Sequence, residues 1–385
     1  VTASAGSPSE VDPAAARILI LCHGGGGGST RAAMNLAAAH AARGRDVALA
    51  TLGRPRWRPA TRLIVLDRPA TMPARLDRRW DAAAVEAVAR QLVETCRRER
   101  PDLLHFHYVR PFAAAAARLG ELLGPGAPVA VGTIHGTDLT EVTPECLRSV
   151  LAGTAHLTAV STAYARLAEE VLGRRPAVVA NFARPGPPTV PARHGRGQLP
   201  IIAHVSSFRP VKAADAAARA FLSVRRQARC RLWLIGDGPD APALRRALRP
   251  GRADIAWLGF RHDVAALLQR ATLLLVTSRA ESFGLAALEA MAGGVPVVAP
   301  RIGGLPEVVG DGVGGDGAGG LLFHPGRSAD AAAKVLTLLR REPLRRALAR
   351  GARRRARLFG EDAAIAGYDC VYRQALAARP VPVGP

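Results

Sequence analysis

Short apolar runs recur along the chain, each closed by a glycine-rich or polar turn and followed by a stretch with helical spacing. The first is "RILILCHGGGGGSTRAAMNLAAAHAARG", which predicts a strand, a glycine loop and a helix. The alternation continues through "DVALATL", an amphipathic segment at 80–98, "PDLLHFHY", "APVAVGTIHGTD" and "HLTAVS". Residues 183–199, "ARPGPPTVPARHGRGQL", are rich in Pro, Gly and Arg and predict a linker. A second series follows: "PIIAHVSSFRPVK", "CRLWLIGDGP", "IAWLGF", "ATLLLVTS" and "VPVVAP". Two successive α/β series imply two doubly wound, Rossmann-like parallel sheets. The expected parts are a disordered tail at 1–16, a first domain at 17–185, a linker at 186–199, a second domain at 200–360, and a closing helix with a tail at 361–385. Ligands of such sheets bind beyond the carboxyl ends of the strands, so a cleft between the domains is the expected site.

Within the second series, "TSRAESFGLAALEAMAGGVPVVAP" stands out. Leu285 to Ala292 predicts a helix, stopped by Gly293-Gly294. Strand, tight loop and helix start together form an anion site, because first-turn amides point outward. Yet Glu281 stands at its mouth and Glu289 one to two turns inside. Carboxylates beside phosphates are favourable where they meet donors, and sugars supply pairs of hydroxyls. Glu281 is placed for a hexose, Glu289 for a ribose, and the helix start at Phe283-Gly284-Leu285 for the diphosphate between them. In "VSSFRPVKAADAAARAF", Pro210 suits a first helical position, so Arg209 and Lys212 share one face of the opening turn. A fork-shaped and a point-like cation suit a diphosphate. Glutamates paired with surface arginines are the bland alternative.

Composition changes this picture little. The 385 residues carry a formal charge of +22, but the 53 basic residues include only two lysines, Lys212 and Lys334. With abundant Ala, Gly and Pro this reads as a GC-rich coding bias, and much of the charge as solvated surface. Arg345, Arg346, Arg350, Arg353, Arg354 and Arg357 are expected to form a solvated helix face rather than a lipid-binding one. Aromatic residues make up 4%, and no zinc-finger spacing or basic-aromatic interleaving indicates nucleic acid. Five scattered cysteines without a CxxC pair point to a reducing cytosol, hence to a cytoplasmic protein. No apolar stretch reaches membrane-spanning length.

"ESFGLAALEAM" resembles the E-x7-E motif of the retaining glycosyltransferases of family 4, which have the GT-B fold of two Rossmann-like domains facing a central cleft. "PDLLHFHYVRPFAAAAA", "TIHGTDLT", "LTAVSTAYA", "NF", "HVSSFRPVK", "LIGDGP" and "GGLPEVV" follow in family order over nearly the whole chain. "HFHY", "HGTDLT" and "VSSFRPVK" are similar to one branch, the N-acetylglucosaminyl L-malate synthases of bacillithiol synthesis. The resemblance implies UDP-N-acetylglucosamine as donor. Arg209 and Lys212 would hold its diphosphate, with Ser207 beside them; Glu281 would take the sugar hydroxyls and Glu289 the ribose. His135 would lie near the anomeric carbon. Gly27 and Gly28 would face the diphosphate from the first domain. Ser29, Arg31, Tyr108, Arg110, Thr137 and Asp138 would border the acceptor. No nucleophile is evident, so the implied reaction is a front-face displacement without metal or other cofactor.

Several alternatives stand beside this. Gly24 to Gly28 after a strand could indicate dinucleotide binding, but no acidic residue closes "DVALATLG". His105 and His107 alternate on one strand face, as metal ligands do, without a third ligand at matching spacing. Tyr108 could pack, and Asp138 could order its own loop. The branch's "PSVGGSG" is replaced here by "HGGGGGSTRAA", which opens the identity of the acceptor. Arg31 and Arg110 suit a dianion such as malate. Asp138, Glu141 and Glu145 suit a cation such as the aminocyclitol 2-deoxystreptamine of antibiotic pathways. A UDP-sugar epimerase of the same fold and a sugar-binding protein without turnover are the readings of other classes. A homodimer is left open.

Overall fold

The computed structural model describes residues 12–70, 81–140, 143–151, 153–183, 198–310 and 317–378. It divides into two compact units. One comprises the chain up to Val160, Ala165–Val179 and the chain from Ala364 on; the other comprises Ser161–Tyr164 and Ala180–Ala363. All but the last two residues of the expected linker lie outside the described residues. Of the expected tail, residues 12–15 form a turn in which the Ala14 amide donates to Asp12 Oδ1 at 2.8 Å, and Ala16 is buried.

The first unit holds a parallel sheet of seven strands: β1 (Ile18–His23), β2 (Val47–Leu52), β3 (Arg62–Leu66), β4 (Leu103–His107), β5 (Val129–Ile134), β6 (His156–Ala159) and β7 (Ala177–Val178), in the order β3-β2-β1-β4-β5-β6-β7. β1 pairs with β2 on one side and β4 on the other, so chain order reverses between β1 and β4. Ile18 to Cys22 are fully apolar and buried, as a central strand covered on both faces requires. The closing helix Glu361–Ala377 belongs to this unit from Ala364 on. It is held by polar contacts at its buried side. Tyr372 Oη lies 2.7 Å from His105 Nδ1, and Asp369 pairs in fork fashion with Arg45, with Nη2 to Oδ2 at 2.7 Å.

The second unit holds six parallel strands: β8 (Ile201–Val205), β9 (Arg231–Ile235), β10 (Ile255–Gly259), β11 (Leu273–Leu275), β12 (Val297–Pro300) and β13 (Gly320–Phe323), in the order β10-β9-β8-β11-β12-β13. Its core includes Phe208, Phe221, Leu232, Leu234, Leu273, Val298 and Val335. Chain order reverses between β8 and β11, so this pair defines the crevice of the sheet.

Three strands escape the sequence pattern, among them β7, a two-residue exposed edge. β3 is an edge strand that begins with Arg62 and leaves Leu63 and Val65 exposed, and β13 is a four-residue run, "GLLF". The basic face is corrected in part: Arg346, Arg350, Arg354 and Arg357 are exposed as expected, while Arg345 and Arg353, with their neighbour Arg355, turn back to the protein. On helix Glu342–Ala356, Arg345 Nη1 donates to Leu338 O at 2.8 Å, near the end of helix Ser328–Arg340. Arg353 Nη2 donates to Gly293 O at 3.3 Å, at the end of helix Leu285–Ala292. Arg355 Nε donates to Val308 O at 2.8 Å, at the end of helix Leu305–Val309. These arginines cap helix carboxyl ends, where orphan carbonyls and the helix dipole favour a cation by about 0.3–1 kcal/mol each. Arg346 pairs with Glu342 in solvent.

Candidate functional site

In the second unit, the loops leaving β8 and β11 carry the predicted donor residues. His204 ties the two strands together, with Nδ1 3.0 Å from Leu275 O and Nε2 3.1 Å from Ser206 Oγ. Burial pushes its pKa down to about 4, so it is a neutral strut. The loop after β8 is tightly fitted. A Cβ on Gly236 would lie 1.8 Å from Ser206 O and one on Gly238 2.0 Å from Ser207 O. Phe208, fully buried, sits at φ 32, a left-handed conformation unusual for a side-chain-bearing residue. Strain of this kind concentrates where backbone placement matters.

Pro210 does not open the long helix. Pro210–Lys212 form one 3-10 turn, closed by the Lys212 amide donating to Arg209 O at 2.8 Å; Ala213 is left-handed, and the helix starts at Ala214. Arg209 and Lys212 are therefore displayed by a kinked turn, with Arg209 Nε donating to Ser207 Oγ at 3.2 Å. The loop after β11 is laced to this turn: Thr277 Oγ1 donates to Ala213 O at 3.0 Å and the Arg279 amide to Val211 O at 2.8 Å. Glu281 then accepts from Lys212 Nζ at 2.6 Å and from Ser278 Oγ at 3.2 Å.

The expected anion end is the start of helix Leu285–Ala292. Its N-cap is Gly284, at φ 98, with no side-chain cap and no acid in the first turn. The structure narrows two assignments there. Phe283 is buried edge-on against Phe359, so its side chain packs and only its backbone can serve a ligand. Leu285 and Glu289 are half-buried, Glu289 on the second turn. A contribution not inferred from the sequence comes from "GGLPEVV". The Gly304 amide donates to Glu281 O at 3.0 Å, and a Cβ on Gly303 would lie 2.0 Å from that oxygen. The glycine pair before a proline-opened helix is the signal that could have revealed it.

In the first unit, three histidines stand at the carboxyl ends of adjacent strands: His23 on β1, His107 on β4 and His135 just after β5. His23 meets Ser29 Oγ and Thr30 Oγ1, each at 3.2 Å, at the start of helix Gly28–Ala42, whose N-cap is Gly27. Arg31 lies over the Trp57 ring, 5.6 Å from its centroid. His107 Nδ1 lies 2.8 Å from His135 Nε2. His105, one layer deeper, bonds Tyr372 Oη and Thr133 Oγ1, each at 2.7 Å, which accounts for it without a metal. Burial holds His105, His107 and His135 well below the ordinary histidine pKa, so all three are neutral. Among the described residues no group of three His, Cys, Asp or Glu is placed to hold a metal ion.

Two acceptor assignments change. Asp138 is fully buried and accepts from the amides of His135, Gly136 (2.7 Å) and Val109 (3.1 Å). Burial raises its pKa to about 6 against these bonds. It is a tie that fixes the loop carrying His135, not an acceptor contact. Tyr108 is 5% exposed, at φ 79, with its ring edge-on to His23, so it packs. The side chains of Arg110 and Thr137, and all of Glu141, lie outside the described residues. Glu145 is exposed beside Arg148.

A Glycosyltransferase Family 4 profile matches residues 26–185, and a Glycosyl transferases group 1 profile matches residues 199–341. The chain is 29% identical to N-acetyl-alpha-D-glucosaminyl L-malate synthase of Bacillus anthracis, over 75% of this chain and 79% of that protein. It is 37% identical to D-inositol 3-phosphate glycosyltransferase of Acidothermus cellulolyticus, over 53% of this chain and 48% of that one. Anabaena HepE, solved in complex with UDP and glucose, superposes with a TM-score of 0.73 at 20% identity, covering 94% of this chain and 98% of its own. Sucrose-phosphate synthase from Thermosynechococcus elongatus superposes at 0.77, also at 20% identity, over 94% and 100%. No described helix is long and apolar enough to cross a membrane.

Proposed function

The chain belongs to the group 1/family 4 glycosyltransferases, with the GT-B fold, and on that premise we propose that it moves N-acetylglucosamine from UDP to a hydroxyl of a small polar acceptor with retention of configuration. The observation that carries the donor half is the convergence of Arg209, Lys212, Glu281 and the open helix start at Gly284 at the crevice of the second sheet. Arg209, Lys212 and the helix amides take the diphosphate, beside Ser207. Glu281 takes sugar hydroxyls and Glu289 the ribose. Gly27 and Gly28 face the diphosphate from the first domain, and Ser29 and Arg31 take the acceptor side.

In the reaction, the bond from the anomeric carbon to the phosphate oxygen breaks as the bond to the acceptor oxygen forms on the same face. The acceptor proton passes to the departing phosphate oxygen, and the sugar passes through an oxocarbenium-like state. Two cations and a helix start stabilise the charge that grows on UDP, and this serves in place of a metal.

Malate-like acceptors lead. Of the three acids that argued for a cation, Asp138 is consumed by backbone amides and Glu145 is exposed beside Arg148. Arg31 remains as a cation on the glycine-loop helix. Side-by-side assays with UDP-N-acetylglucosamine and either L-malate or 2-deoxystreptamine, with and without EDTA, test the reading. Turnover with malate, unchanged by EDTA, is expected. Turnover only with the aminocyclitol, or a requirement for added divalent metal, overturns the corresponding part. Isomerised donor without any acceptor would indicate an epimerase.

A further inference from the structure

Resting on the glycosyl-transfer reading, we propose that His107 is a positioning residue that fixes the tautomer of His135 and makes it a hydrogen-bond donor through Nδ1. The 2.8 Å contact between His107 Nδ1 and His135 Nε2 joins two ring nitrogens, so one must carry a proton and the other must not. Both rings are neutral, each burdened by burial and by neighbouring histidines. Two arrangements therefore satisfy the bond, and they give Nδ1 of His135 opposite roles, donor in one and acceptor in the other.

The second nitrogen of His107 chooses between them. His107 is 1% exposed, and its Nε2 is buried with no hydrogen-bond partner among the described residues. Were the proton on Nε2, a buried N–H would lack an acceptor, which is the rarer and costlier orphan. With the proton on Nδ1, only a lone pair is left unmet. His107 Nδ1–H then donates to His135 Nε2, and the proton of His135 must sit on its own Nδ1.

Everything around the pair holds this arrangement in place. The His105 ring lies 4.4 Å from that of His107, centroid to centroid, and is itself fixed at both nitrogens by Thr133 and Tyr372. Asp138 clamps the His135 amide from the other side of the loop, with Oδ2 at 3.0 Å. His135 is thus held at its backbone by a carboxylate and at Nε2 by a second imidazole. A residue so held can act at Nδ1 only as a donor. It cannot take the proton of the acceptor hydroxyl, which leaves the phosphate oxygen as the base.

The test uses full-length protein labelled with 15N at histidine. Long-range proton–nitrogen spectra identify the protonated nitrogen of His135, assigned by its loss in His135→Gln. The wild type is expected to show the proton on Nδ1; a proton on Nε2 overturns the proposal. His107→Phe, if its melting curve shows a folded protein, is expected to lose this single tautomer and to lower kcat at least about tenfold, with the donor KM little changed. His107→Asn, which can return an amide donor to the place of Nδ1, is expected to restore kcat to within about threefold. A folded His107→Phe protein with wild-type kcat and tautomer also overturns it. The spectra need no substrate, so a failure of the transferase reading would appear separately, as absent turnover with the predicted tautomer in place.

Discussion

Lys212 Nζ and Glu281 Oε2 lie 2.6 Å apart, one on the loop after β8 and the other on the loop after β11. The pair is part-buried, and Ser278 adds a hydroxyl to the same carboxylate oxygen. The two residues proposed to meet diphosphate and sugar are thus pre-aligned on each other. Lys212→Ala and Arg209→Ala are each expected to lower turnover by at least about tenfold, through lost stabilisation of the leaving group on the order of 1.5–4 kcal/mol. Steady-state kinetics with UDP-N-acetylglucosamine checks this; near-normal turnover in both variants would refute the assignment.

Gly304 tests whether the glycine pair places Glu281. Its backbone is not left-handed, so alanine there brings no backbone strain, but a Cβ would lie 2.3 Å from Ser282 O. The backbone of Ser282 must then shift, and Glu281 with it. Gly304→Ala is expected to weaken the sugar nucleotide more than UDP in calorimetric titration. Equal weakening of both ligands, or none, would show that the pair does not position the sugar-binding carboxylate.

Stability should fall with acid. Burial depresses His105, His107, His135 and His204, the last to about 4. For a depressed group the unfolded chain binds the proton first. Its contribution is complete above the ordinary value of 6.5 and is lost as pH falls from there through the folded-state pKa. Each histidine adds a slope of about 1.4 kcal/mol per pH unit within its window. Asp138, raised from 3.8 to about 6, works the other way: its contribution is present below 3.8 and lost as pH rises through about 6. One opposing carboxyl cannot cancel four histidines. Denaturant midpoints are expected to hold above pH 6.5 and to drop steadily at pH 6 and 5. A midpoint that holds or rises over that range would contradict the neutral assignment.

Much of the second unit was legible because its signals are local. Leu285 to Ala292 forms the predicted helix, since apolar spacing and the following glycines fix both ends. The two sheets follow from the alternation of short apolar runs with helical stretches. What was not legible depends on tertiary approach. β3 is half-exposed and begins with arginine, so it carries no core-strand pattern. Asp138 was readable as a residue that could order its own loop, but nothing local announces that it would also reach the Val109 amide, or that Arg353 would reach the end of another helix. Pro210 fits a helix start and also fits a single 3-10 turn; the left-handed Ala213 decides between them. His107 was visible only as one of an alternating pair, because its partner His135 lies on the next strand's loop.

Sugar transfer from UDP through the site at Lys212 and Glu281 has one direct readout. Acceptor-dependent release of UDP tests it most directly. Purified protein is incubated with UDP-N-acetylglucosamine, with and without a panel of small hydroxylated acceptors led by L-malate, and UDP is measured over time. Slow release alone, strong release with one acceptor class, and loss of that release in Glu281→Ala are expected. Release that ignores every acceptor, or persists undiminished in Glu281→Ala, would contradict transfer through this site.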